Sequence, residues 1–191
     1  MKTAFRRIGF AMTGSFCTHR EALAVLEGLA GEFDLVPILS EHAGSWDTRF
    51  GTAEALLEAV TKICGRGPVT TVAEAERFGP GDPLDALIVC PCTGNTMAKL
   101  AHGITDTTVT MAAKAHLRGD RPLLLAPATN DAMSANLANI GALLNRKNIW
   151  FVPMRQDDPE RKPHSLVADF SRVREALEAM AEGRQLRPLF L

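Results

Sequence analysis

Short apolar runs recur along the chain, each bounded by Gly, Pro, Ser, Thr or Asn and each followed by a helix-like pattern. Arg7–Met12, Asp34–Leu39 and residues 69–71, 86–90, 122–126 and 149–152 are strand-sized and apolar at consecutive rather than alternate positions. Strands buried on both faces of a parallel sheet have this character. Between them, apolar positions repeat at helical spacing. Thr18 and Glu21 form a capping-box signature for a helix reaching Leu29. Further helices are predicted at Ala53–Cys64, briefly after residue 71 up to the Gly/Pro cluster at 79–83, and at 97–101. Others follow at 107–118 with Gly119 as its stop, at 132–144 and at 171–182. The stripes Leu23, Leu26, Leu29 and Leu137, Leu143, Leu144 read as core packing. Residues 40–51 and 153–163 read as loops, and Pro37 marks its strand as an edge or irregular one. Strands and helices alternate from end to end, which predicts one α/β domain over residues 1–191, doubly wound around a mostly parallel sheet.

The bulk composition narrows the partners. With 191 residues the chain can bury a substantial core, and 46% hydrophobic with 23% charged residues is ordinary for a globular protein. A net charge of -1 and the absence of Tyr argue against nucleic acid and against an anionic membrane surface. No apolar run approaches the ~20 residues that span a bilayer. Lys2, Arg6 and Arg7 make the N-terminus basic, but Gly9, Thr13, Gly14 and Ser15 interrupt the apolar run behind it, so no signal peptide is expected. Four cysteines without repeated spacing fit a reducing, cytoplasmic setting. Cys90 reads as a small buried hydrophobe; Cys90 and Cys92 are too few ligands for structural zinc. His19, His102 and His116 read as solvated or packing residues on helices.

Candidate chemistry gathers where predicted strands end. The first strand ends in Thr13, Gly14 and Ser15, the second in Ser40, the fourth in Thr93, Gly94, Asn95 and Thr96, and the fifth in residues 127–133. Open α/β sheets bind ligands outside the carboxyl ends of their strands. Hydroxyls, side-chain amides and free N–H groups there suit a phosphate and a polar planar ring. Neither G-x-G-x-x-G nor G-x-x-x-x-G-K-[ST] occurs, so a mononucleotide fits better than a dinucleotide or ATP.

Gly14-Ser15, Pro91-Cys-Thr-Gly-Asn-Thr96 and Ala126-Pro-Ala-Thr-Asn-Asp-Ala-Met133 resemble the signature loops of the FMN-binding flavoproteins, a family of cysteine decarboxylases and flavin prenyltransferases. Thr48-Arg-Phe-Gly51, the Gln156–Asp169 region and Asn136 onward narrow the likeness to the family's dipicolinate synthase branch, its flavoprotein subunit, from Arg7 to Phe170. The resemblance implies a Rossmann-like or flavodoxin-like three-layer sandwich, FMN as cofactor, and a homo-oligomer, a trimer or a multiple of one. It implies phosphate contacts from Gly14, Ser15 and Ser40. Thr93, Asn95 and Thr96 would face the ribityl chain and ring, with Asn130 and Met133 closing the pocket. It further implies a companion A subunit carrying NADP, a small dicarboxylate substrate, and a place in the cytoplasm of a spore former's mother cell.

The chain departs from the decarboxylases in one respect. Their catalytic His falls about eight residues before the position of Asp85, where this chain has Arg77, and no His lies between His42 and His102. A guanidinium stays charged and cannot relay a proton as imidazole does. Decarboxylation is therefore disfavoured; a dehydrogenase subunit acting on dihydrodipicolinate or its hydroxytetrahydro precursor is the leading expectation, with a silent nucleotide-binding assembly subunit as the alternative. For a dicarboxylate, Arg155, Lys162 and His164 in the charged segment after residue 153 are the expected contacts.

Overall fold

The computed structural model describes residues 4–191, so Lys2 of the basic N-terminus lies outside them. Parallel strands β1 (Arg7–Met12), β2 (Asp34–Leu39), β3 (Ala86–Cys92), β4 (Leu123–Thr129) and β5 (Ile149–Phe151) stand in the order β2-β1-β3-β4-β5. Two short strands, β6 (Met154–Arg155) and β7 (Leu166–Ala168), add an antiparallel extension on the outer end of β4. This is the doubly wound, mostly parallel sheet that the apolar runs predict.

Alternate residues of each strand feed two cores. Ile8, Phe10, Met12, Ile88 and Leu124 pack on one face with α1 (His19–Ala30), α3 (Ala53–Cys64) and α8 (Val173–Ala181). Ala11, Leu87, Val89 and Leu125 pack on the other, where α5 (Gly94–His102), α6 (Thr108–Leu117) and α7 (Leu137–Leu144) cover them. Burying both faces explains why the strands are apolar throughout; each fully buried Leu, Ile or Phe contributes about 2 kcal/mol. Pro37 sits on the edge strand, and only a bridge from Val69 to Ile38 reaches β2's outer side. No helix among the described residues is long and apolar enough to cross a membrane.

Several elements differ from the sequence reading, each for a local reason. The supposed loop at 40–51 contains α2 (Glu41–Ser45), because Ser40 Oγ caps the Ala43 amide and Glu41 Oε1 accepts from Thr108 N at 2.8 Å and Thr108 Oγ1 at 2.9 Å. Residues 69–71 form a bridge rather than a strand, and α4 (Val72–Ala75) takes Thr71 and Glu74 as a capping box. Thr18 forms no such box with Glu21, since its hydroxyl turns back to Ser15 O at 2.9 Å after a 3-10 turn at Phe16–Thr18. Helix α5 begins at Gly94, three residues earlier than expected. Helix α7 begins at Leu137, five residues later than expected, and leaves Leu137 50% exposed rather than in the core. The left-handed residue after α6 is Asp120, φ 55, and not Gly119. Strand β6 lies inside the loop expected at 153–163, and β7 in the stretch beyond it to which no element was assigned; at two and three residues they are too short to show a period.

His116 on α6 is fully buried; its Nε2–H donates to Pro122 O at 2.8 Å and its Nδ1 has no partner among the described residues. Burial pushes its pKa down from 6.5 to about 4. The neutral ring is thus favoured by the fold, and its contribution to stability is complete above pH 6.5 and is lost as pH falls toward 4. By pH 4 the loss is about 3 kcal/mol. Urea unfolding of the wild type and of His116→Gln, which keeps a donor but does not titrate, is expected to show the steeper acid loss in the wild type. Parallel pH profiles would remove His116 as the cause.

Candidate functional site

In a sheet ordered 2-1-3-4-5 the winding direction reverses between β1 and β3, and the crevice lies at their carboxyl ends. Thr13 stands at that point, 1% exposed. Its hydroxyl donates to Pro91 O at 2.8 Å and accepts from Thr93 N at 3.0 Å, while its amide also donates to Pro91 O at 3.3 Å. Its carbonyl receives Ser15 N at 2.9 Å and His19 Nε2–H at 2.8 Å. His19 is therefore a half-buried ring that holds the first turn, not a solvated residue, and burial lowers its pKa from the ordinary value. Ser40 N donates to Met12 O at 3.0 Å, which ties the end of β2 to the same junction.

The middle and third loops are joined by close packing. Gly94, the first residue of α5, is buried against the loop after β4. A Cβ there would lie 2.5 Å from Asn136 Nδ2, 2.6 Å from Thr129 Oγ1 and 2.7 Å from Asp131 Oδ1, so only glycine fits. Asp131 organises this loop. Its carboxylate accepts from Thr129 Oγ1 at 2.5 Å and Asn136 Nδ2 at 2.8 Å, and its carbonyl receives Ser134 N and Asn136 N. Asn139 Nδ2 then donates to Asn136 Oδ1 at 2.9 Å. Sequence reasoning does not single out Asp131, Thr129 or Asn136; the N-x-x-N spacing of Asn136 and Asn139 on a helix start is the one available signal.

The residues predicted to bind the cofactor occupy this rim in different states. Thr93 is the N-cap of α5, accepting Thr96 N at 3.3 Å, and its hydroxyl pairs with that of Thr96 at 3.0 Å. Ser40 caps α2 and keeps its own O–H to donate. Ser15 Oγ accepts from Thr18 Oγ1 at 3.2 Å and likewise keeps its O–H. The Gly14 amide and the exposed side-chain amides of Asn95 and Asn130 have no hydrogen-bond partner among the described residues. Asn95 and Thr96 belong to the first turn of a helix rather than a loop. Met133 is half-buried against the second core, and its amide donates to His164 O at 2.9 Å.

The charged segment after β6 is less unified. Lys162 Nζ is held by Asp157 at 2.6 Å, which raises the lysine's pKa, and the buried Ser165 hydroxyl donates to the same carboxylate at 2.6 Å. His164 reaches the rim through its carbonyl, with its side chain exposed. Arg155 instead lines a cleft of about 920 Å³ between α1 and β7, with Cys17, Glu21, Asp169 and Arg174. Arg155 alone of the predicted residues lines either that cleft or a second one of about 270 Å³. The second cleft, absent from the sequence reading, is walled by Phe16, His19, Arg20, Trp46 and Phe50. Cys90 and Cys92 are both fully buried, and burial drives both thiols up beyond any physiological titration. Arg77 lies on an exposed turn beside Asp82, which also pairs with Arg7 at the start of β1, at the end of the sheet opposite the rim. Among the described residues no group of three or more His, Cys, Asp or Glu is placed to hold a metal.

Comparison with known proteins places this geometry. The sequence model of the Flavoprotein family matches residues 2–171. The chain is 38% identical to the B subunit of dipicolinate synthase from Bacillus subtilis (strain 168) over 187 residues, 97% of this chain and 94% of that protein. The crystal structure of the B subunit of dipicolinate synthase from Bacillus halodurans superposes with a TM-score of 0.91 at 38% identity, covering 100% of this chain and 98% of that one. The FMN-dependent cysteine decarboxylase SpaF shares the fold, with a TM-score of 0.67 at 23% identity over 93% of this chain and 97% of its own.

The junction at Thr13 has a measurable cost of removal. Thr13→Val deletes a buried donor and leaves Pro91 O and Thr93 N short of a partner, so urea unfolding is expected to show a loss of about 1–3 kcal/mol. Thr13→Ser, which keeps the hydroxyl, is expected to retain most of it. Equal stability of Thr13→Val and wild type would show that the hydroxyl does not hold the two strands.

Proposed function

This chain belongs to the Flavoprotein family, and from that membership and its rim we propose that it is the FMN-binding subunit of a dipicolinate synthase. Likeness to dipicolinate synthase B subunits over nearly the whole length of both proteins carries this reading. The fold shared with an FMN-dependent enzyme adds support for the cofactor. So does the donor set: a mononucleotide needs uncommitted donors at the switch point, and Gly14, Ser15, Ser40, Asn95 and Asn130 retain theirs.

In this reading the Gly14 amide and the Ser15 and Ser40 hydroxyls hold the phosphate. The hydroxyl pair Thr93–Thr96 and the Asn95 amide serve the ribityl chain and ring edge, and Asn130 and Met133 close the far side. Bound flavin supplies a two-electron acceptor for dehydrogenation of dihydrodipicolinate, or its hydroxytetrahydro precursor, to the aromatic dicarboxylate. The chain's own part is to fix orientation and exclude water. A companion A subunit supplies the NADP site, which this chain lacks by motif, and the chain acts as one domain over residues 1–191 in a trimer or a multiple of it. The setting is the cytoplasm of a sporulating mother cell. No His lies between His42 and His102, the stretch where the decarboxylases have a proton-relaying one, and this weighs against decarboxylation; Arg77 itself stands away from the rim.

Two measurements test this. FMN titration of the apoprotein is expected to give saturable binding, with Asn95→Ala weakened about tenfold, the loss of a hydrogen bond worth about 1.4 kcal/mol. Its thermal melt should be unchanged, because the Asn95 side chain has no partner within the described residues. A wild type that neither arrives yellow nor takes up FMN favours a silent assembly subunit. With the A subunit, NADP and dihydrodipicolinate, product formation is expected to depend on this chain; equal rates without it refute the synthase reading, and carbon dioxide release from a cysteinyl substrate selects the decarboxylase.

A further inference from the structure

The smaller cleft has a chemistry that the cofactor reading does not use. It lies between the first turn of α1, the end of α2, the tight turn at Thr48–Gly51 and the start of α3. Two large aromatic side chains, Trp46 at 54% and Phe50 at 53% exposure, line it together, and clustered rather than scattered exposed aromatics mark binding surfaces. Both are held in place. Trp46 packs on His42 with ring centroids 4.1 Å apart, and the Arg49 guanidinium lies 4.8 Å from the Phe50 ring centroid. Phe16 forms an inner wall, packed at 5.2 Å on His19, whose Nε2–H is committed to Thr13 O.

Charge in this cleft is one-sided. Arg20 lines it and makes no ion pair or hydrogen bond among the described residues. None of the lining residues is acidic. Of the acids that adjoin the lining in sequence, Glu41 holds Thr108 and Asp47 accepts the Ala53 amide at 3.0 Å, while Glu21 and Glu54 sit on the helices beside it without lining it. A volume of about 270 Å³ falls below the ~300–1,000 Å³ of pockets for larger ligands and suits a single ring.

We propose that this cleft is the subsite for a small planar aromatic carboxylate, its ring against Trp46 and Phe50 and one carboxylate paired with Arg20. A guanidinium such as that of Arg20 suits a carboxylate bidentately, and the lining itself presents no acid against it. The identity of the ligand, a pyridine dicarboxylate, rests on the synthase reading; the class, an aromatic acid, rests on the cleft itself. The subsite adjoins the Gly14–Ser15 turn, since Phe16 and His19 belong to the segment directly after it. Arg20 is thus a substrate contact that the charged segment after β6, with Lys162 already neutralised by Asp157, does not supply.

Trp46 gives the readout. The chain has two tryptophans, so Trp150→Phe leaves Trp46 as the reporter, and calorimetry on the unaltered protein covers a failure of that variant to fold. Titration of the full chain with pyridine-2,6-dicarboxylate is expected to quench Trp46 saturably, both with and without saturating FMN. Arg20→Ala is expected to weaken binding tenfold or more, and Lys114→Ala, an exposed cation on α6, to leave it unchanged. No saturable binding, equal affinity in Arg20→Ala, or abolition of binding by FMN would each overturn the proposal, the last because the cleft would then be the flavin's. Dicarboxylate binding by a protein that retains no FMN would refute the flavin reading and leave this subsite standing; FMN retention without dicarboxylate binding would do the reverse.

Discussion

The hydroxyl of Thr13 sits between two strands that wind away from each other, donating to one residue of β3's end and accepting from the next but one. The two strands pair in parallel register as far as Ala11 and Val89, and their ladder stops there, where the rim begins. A junction is needed beyond that point, in a place closed to water. A buried hydroxyl that both donates and accepts meets the need, because a backbone group there would be left costly if unpaired. From this junction the rest of the rim is referenced. Thr93, fixed by its amide, caps α5, whose first residue touches the loop after β4; the Thr13 carbonyl fixes His19 and the first turn. Four strand ends are thereby held in one frame.

Much of this is legible in the residues because burial on both faces leaves a clear trace. The bounds of β1, β2 and α3 follow from consecutive apolar runs and from one amphipathic stripe, patterns strong enough to survive any tertiary context. The doubly wound class and the ligand-bearing rim follow from alternation. The features that are not legible depend on partners distant in sequence. Helix α2 exists because Glu41 meets Thr108, and α7 starts late because Asp131 turns residues 131–136 onto Gly94. Strands β6 and β7 are set by the edge they cover, not by their own composition. The Thr18–Glu21 box does not form for a related reason: Ser15 offers Thr18 a competing partner.

The site residues are legible to a different degree. Small polar residues at strand ends mark a rim, yet composition does not tell which of them hold the frame and which face a ligand. Thr13 and Asp131 look as suitable for binding as Ser15 and Asn130, and the structure divides them by what they already touch. Thr13, Thr129, Asp131 and Asn136 spend their polar atoms on the protein. Asn95 and Asn130 spend no side-chain atom on any of the described residues. The smaller cleft shows in no periodicity, because Trp46 and Phe50 lie in a polar, loop-like stretch; the Thr48–Gly51 motif marks one wall of it without disclosing a cleft.

That division of labour explains how one rim can be rigid and still have capacity to bind. Uncommitted donors facing water cost the fold nothing, since water satisfies them until a ligand does. The same donors mounted on a loose loop would lose affinity to the entropy of ordering them. Committing one set of polar side chains wholly to the frame leaves the other set wholly available, each on backbone that is already fixed. Gly94 shows the limit of the arrangement. The two loops approach so closely there that a single methyl group has no space, so the spacing of the donors is set by contact between main chain and side chain and cannot drift. A rim assembled this way favours ligands whose acceptors match a fixed geometry, as those of a phosphate do.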